Sequence, residues 1–306
     1  MRVEDAAQRG TEPALASPEK ALAILAMVGS AAAWGGATVM TKGALSVLPP
    51  FTLLVLQLSA SNLVLWLAVF LFGGARLTPG RVLSTAAPGL LEPGLAYGVG
   101  VPGLLLTSAT SATVIGAAEP AFICLIAWAF LRERPRRGEI LALIATFAGV
   151  LLIALDGDGS PRHLTGDSLI VLGTLFAALY VVLSRKAAGA YPAHHVAALQ
   201  QSAGLIVALV LWGGALSITA EAVPEGLTPG IIAFAMLSGI VQYAMAFWLY
   251  LVGLRHLPVS TAGMFLALIP VFGLAGAIIV LGEQPNLAKL TGCALVVLAL
   301  LAITRR

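Results

Sequence analysis

Of the 306 residues, 59% are hydrophobic and only 10% are charged, and the mean hydropathy is +0.98. Ordinary soluble domains carry about 25% charged residues, so this composition excludes a water-soluble globule and points to an integral membrane protein. A net charge of +3 does not require a nucleic-acid partner, because the basic residues follow a membrane pattern described below.

Residues 1–19 mix acids with Arg, Pro and Ser without periodicity, and are expected to form a disordered cytoplasmic tail rather than a signal peptide. A membrane span needs about 20 mostly apolar residues. Ten such runs follow in order: roughly 21–42, 51–73, 82–104, 107–131, 138–155, 166–185, 195–218, 229–252, 258–281 and 286–304. Both cysteines, Cys124 and Cys293, lie inside apolar runs without metal-like spacing, and read as small buried hydrophobes.

The chain repeats itself. Pro120, Glu133 and Pro135 are echoed by Pro270, Glu283 and Pro285 at an offset of 150. Near the starts of the halves, Gly29, Lys42 and Gln57 fall on Gly173, Lys186 and Gln201 at an offset of 144. The domains expected are therefore a first five-span repeat over 20–156 and a second over 165–306. An odd number of spans per repeat inverts the second relative to the first. Charge agrees: with both termini cytoplasmic, 14 of the 17 basic residues fall on inner segments, and only Lys42, Arg162 and Lys289 on outer ones. The fold class expected is an all-α membrane protein, with ten transmembrane helices as two inverted five-helix repeats around a central cavity. Duplicated bundles of this kind are most often transporters.

The motifs have a family likeness. Ala33-Trp34-Gly35-Gly36 with Lys42, Ser111-Ala112 followed by Glu119-Pro120, and the Leu131 to Glu133 turn carry it in the first half. Pro258, Ser260-Thr261-Ala262, Pro270 and Gly282-Glu283 carry it in the second. Across residues 20–304 the chain resembles the drug/metabolite transporter superfamily, of the ten-span EamA-repeat type. The resemblance implies a basket-like bundle with a central substrate cavity, and commonly the export of amino acids, aromatic ones included, or related metabolites. Many relatives carry an arginine in the second span where this chain has Gln57, so an arginine grip on an anionic group does not carry over.

Ionisable groups inside a span mark function first, since a charge there costs at least about 2.5–3.5 kcal/mol on insertion scales. Only Glu92 and Glu119 are acids in mid-span, and each precedes a proline, Pro93 and Pro120. Either carboxyl could bind an amine or a proton in the cavity, or could serve the backbone carbonyl that proline leaves unpaired. The third run is also rich in Pro and Gly, and irregular backbone at membrane depth is tolerated only against protein or a wet cavity. Pro93, Pro120 and Pro270 are expected to shape their helices. Glu133 and Glu283 stand at turns entering spans five and ten, where an acid complements a helix N-terminus. Tyr243, Phe247 and Tyr250 form a stripe at helical spacing beside Gln242, which suits helix packing or a substrate wall. Trp34 and Tyr97 lie deep in their spans and are further cavity candidates. Gln57, Asn62, Gln200 and Gln201 read as inter-helix links, with Gln57 and Gln201 singled out as the pair the duplication relates.

No Gly-rich Lys-Ser/Thr loop, His-Glu-x-x-His helix or Gly-x-Ser-x-Gly elbow is present, so neither direct ATP use nor these hydrolytic chemistries are expected. The expectation is a secondary transporter in the inner membrane, not an enzyme, with no metal or cofactor. Its partners are a small-molecule substrate and the lipid bilayer, and a single chain carries its own pseudo-symmetry, which suits a monomer. A multidrug or lipophilic-cation exporter, and a channel, stay open as alternatives.

Overall fold

The structure, a computed structural model, describes residues 18–106, 115–116, 118–132, 134, 136–154, 164–218, 227–281 and 287–304. Among these residues there are helices and turns but no strand. That is the arrangement hydrocarbon demands, since a helix pairs its own backbone polar groups where no water can.

The first half holds α1 (Pro18–Leu45), α2 (Pro50–Phe72), α3 (Pro79–Ala86), α4 (Ala96–Leu106), α5 (Glu119–Leu131) and α6 (Arg137–Ala154). The second holds α7 (Leu164–Ala190), α8 (Ala193–Ile218), α9 (Pro229–Gly239), α10 (Ala246–His256), α11 (Val259–Met264), α12 (Ile269–Leu281) and α13 (Leu287–Thr304). Among the described residues, six helical stretches are long and apolar enough to cross a membrane. They are α1, α2, α7, Ala193–Ser217, Pro229–His256 and Val259–Gly276. The chain is therefore a multi-pass membrane protein.

The helices fall on the predicted apolar runs with instructive differences. α7 continues past Arg185 to Ala190, because the Arg185 guanidinium donates to the carbonyls of Leu254 and Arg255 at 2.6 and 2.9 Å, so the charge terminates nothing. The third run is interrupted as its composition suggested: Leu90–Leu95 is a π-segment, and Glu92 leaves helical geometry altogether at φ −141°, ψ 124°. The eighth run reads as continuous in sequence, yet Ile240–Met245 is also a π-segment, at an offset of 150 from the first. Residues 107–114, Glu133, Pro135, Glu283 and Pro285 lie outside the described residues. The observed cap of α6 comes from Glu139, whose Oε2 accepts the Arg136 N–H at 2.8 Å. Cys124 and Cys293 are free thiols, the first buried.

Small residues set the closest approaches. A Cβ at Gly35 would press on Phe272 Cβ at 2.7 Å and on the Gly273 nitrogen at 2.8 Å, while one at Gly36 meets no described residue within 4 Å. Of the two glycines in the motif, α1 needs only the first to cross α12. α6 and α13 pack on each other more extensively than any other pair of helices, and a Cβ at Gly149 would lie 2.7 Å from the Gly292 carbonyl.

Contacts in one half recur in the other with partners exchanged. A Cβ at Gly253 of α10 would meet Met27 of α1 at 2.6 Å and the Ala23 carbonyl at 3.0 Å. One at Gly103 of α4 would meet Ile170 of α7 and the Gly166 carbonyl, both at 3.1 Å. Ser30 donates to the Ala246 carbonyl at 2.7 Å, and a Cβ at Gly173 would meet the Ala96 carbonyl at 2.9 Å. Gly239 abuts the backbone of Gln57, and Gly89 abuts the backbone of Gln200. These pairs are related by 150 on the third helices of the halves but by 143 on the first and second. The sequence alignment at 144 is thus corrected by one residue: the counterpart of Gln57 is Gln200, not Gln201. One residue turns a helix by about 100°, enough to move a side chain from the interface to another face.

Side-chain contacts also gather the turns at two ends. At one end His194 Nε2 lies 2.7 Å from the Gly73 carbonyl, and the Ala75 N–H donates to His195 Nδ1 at 2.9 Å. At the other, Ala44, Leu48 and Leu53 pack with Ala235, Leu227 and Ile231, and Trp212 donates to Thr52 at 3.0 Å.

Candidate functional site

The two π-segments face a shared interior. A π-turn adds a residue and rotates the side chains that follow, and such turns are frequent at functional sites. On the second, Gln242 and Tyr243 turn inward and are buried. Gln57 of α2 donates from Nε2 to Thr41 Oγ1 of α1 at 2.9 Å and to Ser238 Oγ of α9 at 2.8 Å. Thr41 donates to Gln242 Oε1 at 2.8 Å. Gln242 Nε2 in turn donates to the Tyr243 hydroxyl at 3.2 Å and, at the limit of bonding distance, to that of Tyr97 at 3.5 Å. The relay has a direction. With their oxygens accepting from Gln242, the two phenols retain one O–H donor each for whatever enters beside them.

Beyond the relay lies an aromatic cage. Trp34 of α1 meets Phe247 and Tyr250 edge to face, at ring centroid distances of 5.0 and 5.6 Å. Tyr97 meets Tyr243 at 5.4 Å, Tyr180 of α7 meets Phe247 at 5.6 Å, and Tyr243 stacks on Phe247 at 6.2 Å. Edge-to-face pairs at these separations are worth about 0.5–1.5 kcal/mol each beyond the area they bury, and the rings pack together within the hydrophobic core. Of the stripe at 243, 247 and 250, Phe247 and Tyr250 meet α1, Phe247 also meets α7, and Tyr243 meets Tyr97 of α4. Tyr243, Phe247 and Tyr250 are almost wholly buried.

Both acids singled out in the sequence lie near these rings. Glu92 lies within electrostatic reach of Glu119 and of the hydroxyls of Tyr97, Tyr180, Tyr243 and Tyr250, and Tyr250 also senses Glu119. Each carboxyl is half-buried, and Glu119, with Pro120, Gly35, Thr38, Pro270 and Gly273, lines a cavity of about 280 Å³. That is close to the lower end of small-molecule sites, about 300–1,000 Å³. Pro120 and Pro270 thus stand at the cavity wall, whereas Pro93 is buried against α8, where a Cβ at Gly204 would collide with it.

Gln201 stands apart from the relay. It is fully buried, and among the described residues neither of its amide atoms has a partner, nor does the hydroxyl of Tyr250. Gln200, by contrast, donates to Ser184 Oγ at 3.0 Å and accepts from Tyr180 at 3.0 Å. Gln200 with Ser184 repeats Gln57 with Thr41 at the offset of 143. Asn62 is an inter-helix link, its Oδ1 accepting from Ser202 of α8 at 2.7 Å. Sequence reasoning missed Thr41, Ser238, Ser184 and Tyr180. Their only available signal was a polar group within an apolar run, which small hydroxyls carry weakly. At the offset of 150, Glu92 corresponds to Gln242 and Tyr97 to Phe247. The two halves therefore offer the interior one carboxyl and one amide at equivalent places.

Residues 21–155 and 164–305 each match the sequence profile of the EamA-like transporter family. A protein named as an uncharacterized transporter from Archaeoglobus fulgidus is 24% identical over 89% of this chain and 95% of its own length. A similar transporter from Clostridium kluyveri is 24% identical, over 63% of this chain and 62% of that protein. A protein of Streptantibioticus cattleyicolor, named a probable terminal-alkyne amino-acid exporter, is 27% identical over 65% of each chain. A solved crystal structure at 20% identity superposes with a TM-score of 0.77, covering 92% of this chain and 96% of the other, and so shares the fold.

Proposed function

Because the chain belongs to the EamA-like transporter family, we propose that it is a secondary transporter exporting amino acids or related small amphiphilic metabolites across a prokaryotic inner membrane. The observation that carries this reading is the convergence of two carboxyls, a directed hydrogen-bond relay and an aromatic cage within the membrane-spanning core. Each part matches one part of such a substrate. A carboxyl at Glu92 or Glu119 answers an ammonium group or carries a proton. The phenol donors of Tyr97 and Tyr243 answer a carboxylate or carbonyl oxygen. The rings of Trp34, Phe247 and Tyr250 answer an apolar side chain or the face of a cation. The relative named as an amino-acid exporter supports the same class.

The exchanged contacts between halves support two repeats of opposite orientation, five spans each, over 20–156 and 165–306. In that topology the 73–75 turn and the start of α8 are both cytoplasmic, and the starts of α2 and α9 are both external. The contacts that gather the turns at two ends agree with it. Rocking of the halves about the π-segments would expose the cage to either side in turn, with both termini cytoplasmic and one chain sufficient.

Flux of labelled aromatic, aliphatic and basic amino acids into liposomes carrying the purified protein tests the reading, with and without an imposed pH gradient. Saturable, competable flux of a zwitterionic substrate is the expected result. Non-saturable flux would establish a channel instead. A second reading, export of lipophilic cations, draws on the pairing of carboxyls with aromatic faces. Amino-acid methyl esters and quaternary amines separate the two: a lipophilic-cation exporter moves them better than the free acids, and an amino-acid exporter does not.

A further inference from the structure

We infer that the groove between the start of α1 and the α6–α13 pair is a binding site for one anionic phospholipid. It is a cavity of about 740 Å³ that none of the cage residues lines. Among the described residues, three basic side chains, Lys20, Arg134 and Arg136, line it with one acid, Glu139. Both oxygens of that acid are engaged: Oε2 accepts the Arg136 N–H at 2.8 Å and Oε1 accepts from Thr261 at 3.4 Å. Three cations against one carboxylate among the described lining residues make the local field cationic, which selects an anionic headgroup.

The rest of the groove suits an acyl chain. Gly138, Leu141, Ala142 and Ala145 lie at i, i+3, i+4 and i+7, one face of α6 over about 10 Å of its length. Ile24 of α1 and Ala299 of α13 complete an apolar wall. Leu141 is 68% exposed, so this wall opens sideways toward lipid and not only toward water. The packing explains why a gap exists. α6 and α13 bury small residues against each other, as at Gly149 and Gly292, and touch the remaining bundle mainly through α11 and the 3₁₀ turn Phe265–Leu268. A free organic phosphate would use the cations but leave the apolar face wet. The occupant that satisfies both is a phospholipid, with its phosphate at the arginines and a chain along α6.

Native mass spectrometry of the full chain, released from micelles doped with phosphatidylglycerol or phosphatidylcholine, tests this. One phosphatidylglycerol should be retained at least about tenfold over phosphatidylcholine, as two to three basic contacts imply at about fivefold each. R134Q/R136Q should remove that preference. R76Q/R81Q, which neutralises basic residues outside the groove, should keep it. A145F leaves the charges in place but fills the apolar wall, and should also lower retention. Equal retention of both lipids, equal loss in R76Q/R81Q, or displacement of the lipid by millimolar glycerol 3-phosphate would each overturn the proposal, the last by making it a soluble-anion site. Because transport is not the readout, a failure here is separate from a failure of the proposed function.

Discussion

Glu92 and Gln242 occupy equivalent positions in the two halves and differ by one ionisable group. An amide can form the same kind of hydrogen bonds but cannot carry a proton or hold an ammonium ion as strongly. Glu92→Gln should therefore make the halves alike at this point and lower gradient-driven flux by at least about tenfold, equivalent to roughly 1.4 kcal/mol. Flux at the wild-type rate throughout about pH 5 to 8 would remove Glu92 from the mechanism. Gln57 makes a different contribution. Gln57→Met keeps the volume but deletes two donors, to Thr41 and Ser238. Inter-helix hydrogen bonds in membranes average about 0.6 kcal/mol, so a loss of about 1 kcal/mol is expected in reversible unfolding from mixed micelles. The same change frees Thr41, and with it the orientation of Gln242, so substrate affinity should fall as well. A stability loss without any change in affinity would confine the relay to packing.

At the scale of helices, the two π-segments are held against the opposite half by glycine. At Gly89 and Gly239 an added Cβ would run into the main chain of Gln200 and Gln57 respectively, and a backbone cannot swing aside as a flexible side chain can. Gly89→Ala and Gly239→Ala should each separate the halves locally, costing about 1–3 kcal/mol as overpacked cores do and abolishing most transport. Gly36→Ala and Gly100→Ala add a methyl where no described residue lies within 4 Å, and should leave both thermal stability and flux unchanged. If all four behave alike, close approach at the π-segments is not what the glycines provide. The apolar periodicity located these helices but could not locate the π-turn at Ile240–Met245. That segment contains no Pro or Gly, and it packs against α1 and α2 of the opposite half.

The whole molecule is defined by the way the halves face each other. In the proposed inverted topology, Thr78 and Ala190 are cytoplasmic while Ser46 and Thr228 are external. Single cysteines at these positions, in a Cys124→Ser/Cys293→Ser background, should react with a membrane-impermeant maleimide in two groups. Ser46→Cys and Thr228→Cys should label in intact cells, and Thr78→Cys and Ala190→Cys only after lysis. Labelling of Thr78→Cys and Thr228→Cys from the same side would break the inversion, because these sites precede the third helix of each half.

Sequence alone determined that the chain resides in a membrane, where its apolar runs lie, and that it is duplicated. Those properties depend on composition and on repetition over tens of residues, which a one-residue error does not disturb. It also singled out Glu92, Glu119, Trp34 and the 243–247–250 stripe, because charge at membrane depth is costly and aromatic spacing reports a helix face. Only the tertiary structure decided which residues meet. It paired Gln57 with Thr41, Ser238 and, through Thr41, with Gln242, and it left Gln201 without a partner among the described residues where the sequence had favoured it. The reason is geometric. Side-chain direction on a helix changes by about 100° per residue, so partnership depends on single-residue register and on the extra turn of a π-segment. Neither is written in the hydropathy of the chain.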